Sequence, residues 1–331
     1  MSTTIPRLLL ISLSFFPTLG QAGVYKCMDA NNKVFYQDKP CKELTSAGLP
    51  PALAKLAPAE TRPMLLWKLT QPNHTLYLMG SLNYGTADMY PLPESVMDAF
   101  AESKVLVVAR ELDAGTDPAS SGGFLMSKGS YTDGSNLQNH VKPITWQKTV
   151  ELAKTFNLSE ESLNPLRPWM AALKLKNAAL RQAGLDDKLS VDKTFVKAGE
   201  TLKPIMELNP VDEQVKHYDS LTDAEQEQLL IRALSEADSK NGYFKSMVDL
   251  WKKGDADVLA YSLSHNAEAL SKSEKLLQDK NQAQTEAMAD KMVEMTADGR
   301  TYFMIVDVKR LVGEKGIIAL LKAKGFKASQ L

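Results

Sequence analysis

Histidine and cysteine are scarce in this chain: four and two, respectively, among 331 residues. His140, His217 and His265 form no i, i+4 pair and no HExxH, which argues against a helix-borne zinc site and favours ordinary surface or core histidines. His74 precedes a predicted strand rather than following it and reads as a solvated turn residue. There is no Gly-x-Ser-x-Gly elbow, no Walker loop and no Gly-x-Gly-x-x-Gly, so the sequence signatures of α/β-hydrolases, P-loop enzymes and dinucleotide binders are missing. Charge of one sign is missing too: the formal net charge is −1, which argues against nucleic acid or an anionic membrane surface as the main partner. Beyond residue 22 no apolar run approaches the roughly 20 residues of a spanning helix. The 14 methionines, with Met288, Met292 and Met295 at helical spacing, read as core filler, because copper-binding methionines usually accompany His or Cys.

What is present begins with an export signal. Arg7 supplies a positive n-region, Leu8 to Phe16 an apolar stretch, and Gly20-Gln21-Ala22 a small-x-small cleavage pattern. Residues 1–22 are therefore expected to leave, with mature chain from Gly23; a retained anchor is the other reading, for which the apolar stretch is short. That places the protein in the bacterial periplasm or outside the cell, with no membrane span after cleavage. No cysteine stands at the cleavage point, which argues against lipid attachment. Cys27 and Cys41 then read as one disulfide. Between them Asp29 to Asn32 form a turn joining two aromatic-containing strands, so residues 23–44 are expected to be a hairpin. The bridge would add about 3 kcal/mol in the chain-entropy picture to an otherwise marginal element. Pro50, Pro51, Pro58 and Pro63 mark 45–63 as a linker, and 64–331 as the main domain.

The main domain is organised around Leu76 to Asp113 and an echo from Thr301 to Phe326. In the first, Leu76-Tyr77-Leu78-Met79 is a buried-strand run, Gly80-Ser81-Leu82-Asn83 a turn, Glu94 to Ser103 a helix and Val105-Leu106-Val107-Val108 a second strand. In the echo, Tyr302 to Val306 is a strand, Asp307-Val308-Lys309-Arg310 a turn, and Glu314 to Lys324 a helix leading through Gly325 to the closing segment. The expectation is an α/β fold whose central sheet is built from these N- and C-terminal β-turn-α-β repeats and capped by a largely helical middle, Lys142 to Thr296. Turns at strand C-termini are where open α/β sheets place their chemistry. Residues 114–140, rich in Gly, Ser and Asp, read as a long loop able to roof such a site or to be disordered.

These residues resemble the TraB/PrgY/GumN family, which includes the TIKI metalloproteases. That family's first signature is a strand, Gly-x-x-His, a Leu-Pro pair, a helix, and a strand ending in Glu. Leu78-Met79-Gly80-Ser81-Leu82-Asn83, Tyr90-Pro91-Leu92-Pro93 and Val107 to Asp113 match that frame. The second, ending in His-Leu-x-Gly before a short helix and Gly-aromatic, is similar to Val306 to Gly316 and Gly325-Phe326. Weaker landmarks follow in order: Arg167-Pro168-Trp169, Ser190-Val191-Asp192, Lys203-Pro204-Ile205-Met206-Glu207, Gln214, and Trp251-Lys252-Lys253-Gly254-Asp255. Both family histidines are replaced, by Asn83 and Arg310, and the second glycine by Asp307. The family glutamate falls on Ala109 without a gap, with Glu111 two residues on and on the same strand face. Residues 24–41 resemble a short bacterial envelope module of unknown function.

The resemblance implies a site of Asn83, Glu111 and Arg310, with Asp307 and Glu111 as ligands if a divalent ion (Mn, Co or Zn) is bound. Three readings stay open. The first is a metal-dependent peptidase or hydrolase using an oxygen-rich site. The second is a degenerate homologue without cofactor that binds or regulates an envelope protein or peptide. The third is a structural protein whose useful part is the hairpin. Arg310 is expected to pair with Glu111 or Asp307 and to supply the charge a metal would bring.

Overall fold

Leu76-Tyr77-Leu78-Met79, Val105-Leu106-Val107-Val108 and Tyr302-Phe303-Met304-Ile305-Val306 contain no polar alternation because both faces of each strand are covered. All of these residues are buried in the computed structural model, as expected for central parallel strands. The structure describes residues 25–28, 34–37, 63–109, 123–238, 240, 242–264 and 271–331. The expected leader and its cleavage point, Cys41, the side chain of Cys27, most of the proline-rich stretch, Glu111 and His265 lie outside the described residues. The chain divides into two units, Met1–Ala54 and Lys55–Leu331.

In the first unit, β1 (Tyr25–Met28) and β2 (Val34–Gln37) pair antiparallel, with Tyr25 opposite Gln37 and Met28 opposite Val34. In the second, β3 (Leu66–Gln71), β4 (His74–Ser81), β5 (Val105–Val108), β6 (Ile205–Glu207), β7 (Tyr302–Asp307) and β8 (Lys327–Gln330) form one sheet in the order β6-β5-β7-β4-β3-β8. β6, β5, β7 and β4 are mutually parallel, and β3 is antiparallel to both neighbours. Strands from the two ends of the second unit thus share one α/β sheet, as the repeats imply.

The connections decide where a site can form. The chain leaving β4 runs through the Glu94–Glu102 helix to β5, passing β7 on one side. The chain leaving β7 runs through the Ile317–Ala323 helix to β8, passing β4 and β3 on the other. Adjacent parallel strands whose connections depart in opposite directions make a topological switch point, and a crevice opens at their C-terminal ends. Here those ends are Ser81 and Asp307, which stand opposite each other.

Two expectations need correction. The turn into β4 is Pro72-Asn73, with Asn73 at φ 69°. His74 already belongs to the strand, and its Nδ1 donates to the Thr296 carbonyl at 2.6 Å rather than to solvent. The stretch read as a loop over 114–140 contains helices at Gly123–Gly129 and Leu137–His140, because Leu125 and Leu137 are buried against Trp169 and its neighbours. The described part of the middle is largely helical, as expected, and it also contributes β6, a short edge strand of Ile205-Met206-Glu207.

Candidate functional site

Gly80 ends the apolar run of β4 and is the close-approach point of the two turns. Its N–H donates to the Leu65 carbonyl at 2.8 Å, and its own carbonyl accepts from the Trp251 indole at 2.8 Å. A Cβ there would stand 2.8 Å from Leu311 Cδ2 and 3.0 Å from Val308 Cγ2, so the turn after β7 lies directly on this glycine. Two residues of the Trp251-Lys252-Lys253-Gly254-Asp255 landmark thereby acquire a packing reason. Trp251 anchors the first turn. Gly254, at φ 65°, has Pro63 O only 2.1 Å from where its Cβ would be.

From Gly80 a polar chain crosses the switch point. The Ser81 hydroxyl donates to Asp192 Oδ1 at 2.8 Å, and the Asn83 N–H donates to Ser81 Oγ at 3.2 Å. Asn83 sits at φ 61°, a left-handed conformation that asparagine tolerates better than most residues. Its Nδ2 donates to Asp307 Oδ2 at 2.8 Å, joining the two signature turns across 224 positions of sequence. The other oxygen of Asp307 accepts the Lys309 N–H at 2.6 Å, capping the Val308–Leu311 helix.

The charge at this point belongs to Lys309. Its Nζ lies 3.3 Å from Glu236 Oε1 and 5.2 Å from the centre of the Tyr243 ring, with side-chain exposures of 27% for Lys309 and 14% for Glu236. Burial would lower the ammonium pKa, but Glu236, Tyr243 and Asp307 outweigh it and raise it. Burial likewise would raise Glu236, but Lys309, Lys176 and Arg232 hold that carboxyl below its usual range. Tyr84, buried beside them with its ring edge-on to Phe244 at 5.7 Å, is pushed up by desolvation. Asp192 is 3% exposed, and burial raises its pKa against the hydrogen bond from Ser81. A cavity of about 220 Å³ adjoins the pair, with Glu236, Tyr243, Phe244 and Gln182 in its wall.

Arg310 takes a different position from the one expected. Its guanidinium lies against the Lys272–Thr296 helix and donates to Asn281 O at 3.1 Å, Thr285 Oγ1 at 2.9 Å and Gln284 Oε1 at 2.7 Å. All three are neutral oxygens, so the carboxylate-bound cation next to Asp307 is its neighbour, Lys309. Of the expected residues, Asn83 and Asp307 are brought together, Arg310 is turned to a helix, and Glu111 lies outside the described residues. Ala109, the last described residue before it, is buried and donates its N–H to Ile305 O at 2.8 Å.

The described donor set does not fit a metal centre. Both Asp307 oxygens accept N–H groups, Asn83 presents its amide nitrogen, and an ammonium ion stands alongside. Among the described residues no three His, Cys, Asp or Glu are grouped to hold an ion. Asp192, Lys309 and Glu236 were not among the expected site residues. Asp192 belongs to the Ser190-Val191-Asp192 landmark and Lys309 neighbours Arg310, but nothing in the local sequence marks Glu236.

The chain belongs to the TraB/PrgY/gumN family, whose model matches residues 65–330. Residues 11–63 match the model of a domain of unknown function (DUF4124). No curated protein and no solved structure gives a match. Among the described residues, no helix is long and apolar enough to cross a membrane.

Proposed function

We propose that this TraB/PrgY/gumN-family chain is an exported envelope protein in which the switch-point site is a binding or regulatory surface for a peptide or protein, not a metal-dependent hydrolase. The observation that carries this reading is the Asn83–Asp307 hydrogen bond with the Lys309–Glu236 pair beside it. A metallohydrolase needs open coordination positions and ligands free to donate lone pairs. Here the first turn offers an amide N–H, the second a carboxylate already accepting two N–H groups, and the compensating positive charge is a side chain. Such a site keeps its shape without an ion and presents mixed charge to a partner.

The test is calorimetric titration of the mature chain from Gly23 with Mn²⁺, Co²⁺ and Zn²⁺, alongside a peptide-cleavage assay. The expected result is no stoichiometric binding and no metal-stimulated cleavage. One equivalent bound with metal-dependent hydrolysis would overturn the proposal in favour of an oxygen-ligand hydrolase completed by Glu111. Deleting residues 23–44 separates it from the structural reading, because partner capture should then persist. Mass spectrometry of the exported protein, with and without reductant, should place its start near Gly23 and show the two-hydrogen difference of a Cys27–Cys41 bridge.

A further inference from the structure

A second group of reactive side chains lies on residues that the switch-point site does not use. It starts with the turn Asp133-Gly134-Ser135-Asn136. The Ser135 N–H donates to Asp133 Oδ1 at 2.9 Å, and Gly134 takes φ 84°. Asn136 then caps the short Leu137–His140 helix by accepting the Asn139 N–H at 3.1 Å. This carries His140 back over the turn, where its Nε2 is 2.6 Å from Ser135 Oγ. The other ring nitrogen, Nδ1, is 3.0 Å from Asp223 Oδ2, 83 residues further along.

All three positions are held from behind. The His140 ring stacks on Tyr131 with centroids 4.4 Å apart, and the Arg167 guanidinium lies 5.4 Å from the centre of the Tyr131 ring. The Tyr131 N–H donates to Pro165 O at 2.9 Å and the Leu137 N–H to Asn164 O at 2.7 Å, fastening the turn to the chain before the Pro168–Gln182 helix. Asp223 is the first residue of the Asp223–Ala237 helix, whose Thr222–Glu225 capping box fixes its start. With the carboxylate accepting from Nδ1–H, the lone pair of Nε2 faces the serine hydroxyl, which is the tautomer a general base needs. A serine of this kind more often bonds back to nearby backbone; this one is directed at a histidine.

We propose that Ser135, His140 and Asp223 form a nucleophilic site that accepts an acyl group from a small uncharged ester. Ser135 Oγ forms a bond to the ester carbonyl carbon as its proton passes to His140 Nε2. The tetrahedral oxyanion collapses, the bond to the leaving oxygen breaks, and that oxygen takes the proton from His140. Water, deprotonated by the same nitrogen, then adds to the Ser135 ester; the bond from Oγ to the acyl carbon breaks, Oγ takes the proton back from His140, and the carboxylic acid leaves. The Asn136 N–H is assigned to the oxyanion. It belongs to the residue after the nucleophile, a usual oxyanion donor, and donates to no acceptor among the described residues. Ser135 is half-exposed and Asp133 exposed, so the site is open. Asp133 and Asp223 disfavour anionic esters. The 65% exposure of the Asp223 side chain predicts weaker orientation of His140 than a buried carboxylate gives, hence a preference for reactive leaving groups.

The experiment uses the mature chain with a fluorophosphonate probe and with p-nitrophenyl acetate. The probe should label Ser135, located by peptide mapping, and Ser135→Ala should lose the label. His140→Gln should lower ester turnover by about 100-fold or more, the scale of a general base, and Asp223→Asn by a smaller factor. An unlabelled Ser135, or equal labelling of wild type and His140→Gln, would overturn the proposal and leave a structural tie that pins the turn. If His140→Gln does not fold, wild type against Ser135→Ala still decides, since a label on any other residue counts against it. The outcome is independent of the metal reading: labelling of Ser135 should be the same with and without a chelator.

Discussion

The turns after β4 and β7 occupy neighbouring strand ends and follow the same strand-turn-helix-strand plan, yet they contribute opposite things. The β4 turn supplies space and a neutral amide. Gly80 leaves room for Val308 and Leu311, and Asn83 reaches across in a left-handed backbone conformation. The β7 turn supplies charge: Asp307 caps its own helix, Lys309 turns to Glu236 and Arg310 to the Lys272–Thr296 helix. Two copies of one supersecondary plan therefore need not carry equivalent chemistry. The topology requires only that their ends meet.

Substitutions in each turn test this division. Lys309→Met should have the largest effect, because it leaves Glu236 largely buried with Arg232, 3.4 Å away, as its nearest remaining cation. Breaking a buried pair costs about 3–5 kcal/mol, and partial exposure places this one near 3. Urea denaturation showing a loss under about 1 kcal/mol would mean that the charge of the β7 turn is dispensable. Gly80→Ala should cost about 1–3 kcal/mol by overpacking against Val308 and Leu311. A companion Leu311→Ala should relieve part of that, and a strictly additive double mutant would show that the turns do not press on each other.

Arg310→Ala falls lower. A carboxylate-bound arginine would cost more than 3 kcal/mol on removal, whereas hydrogen bonds to neutral oxygens of one helix predict about 1–2 kcal/mol. Asn83→Gly keeps the left-handed backbone and removes only the bond to Asp307, for about 1 kcal/mol. Asn83→Ala should be worse by the added backbone strain, and the reverse order would contradict the assigned φ.

The pH dependence separates the charges by sign. Glu236 has a depressed pKa, so its stabilisation is present above the unfolded value of about 4.3 and is lost as pH falls below it. Asp192 has a raised pKa, so its contribution is complete below about 3.9 and is lost as pH rises through the folded value. Asp192→Asn, which retains an acceptor for Ser81, should gain stability relative to wild type between acid and neutral pH. Lys309→Met should flatten the acid limb instead. Parallel profiles for the two variants would show that neither carboxyl titrates as its surroundings imply.

Much of the sheet was legible from local pattern. Val105 to Val108 is a strand over the expected residues, and Tyr302 to Asp307 extends its reading by one, because unbroken apolar runs are hard to satisfy except as buried strands. That the β4 and β7 turns meet followed from placing both at strand ends, but the Asn83–Asp307 bond did not, since Arg310 was the expected partner of Asp307. The short helices within 123–140 were not legible: Leu125 and Leu137 are apolar positions too sparse to show a period, and they fold because Trp169 and its neighbours cover them. His140 looked isolated because its partners are 5 residues behind and 83 ahead, neither at a motif spacing.

By itself, then, the sequence determined that Leu76 to Met79, Val105 to Val108 and Tyr302 to Val306 are strands and that a turn follows the first and the last of them. These are properties of neighbouring residues: periodicity, burial demand and backbone tolerance. Only the tertiary structure decided which cation serves the site. Lys309 and Arg310 are consecutive on one helical turn, about 100° apart at 3.6 residues per turn. The docked Lys272–Thr296 helix takes Arg310, while Glu236 and Tyr243, brought in from helices more than 60 residues upstream, take Lys309. A single step of rotation separates the two outcomes, and it is settled by side chains that no local pattern places beside it.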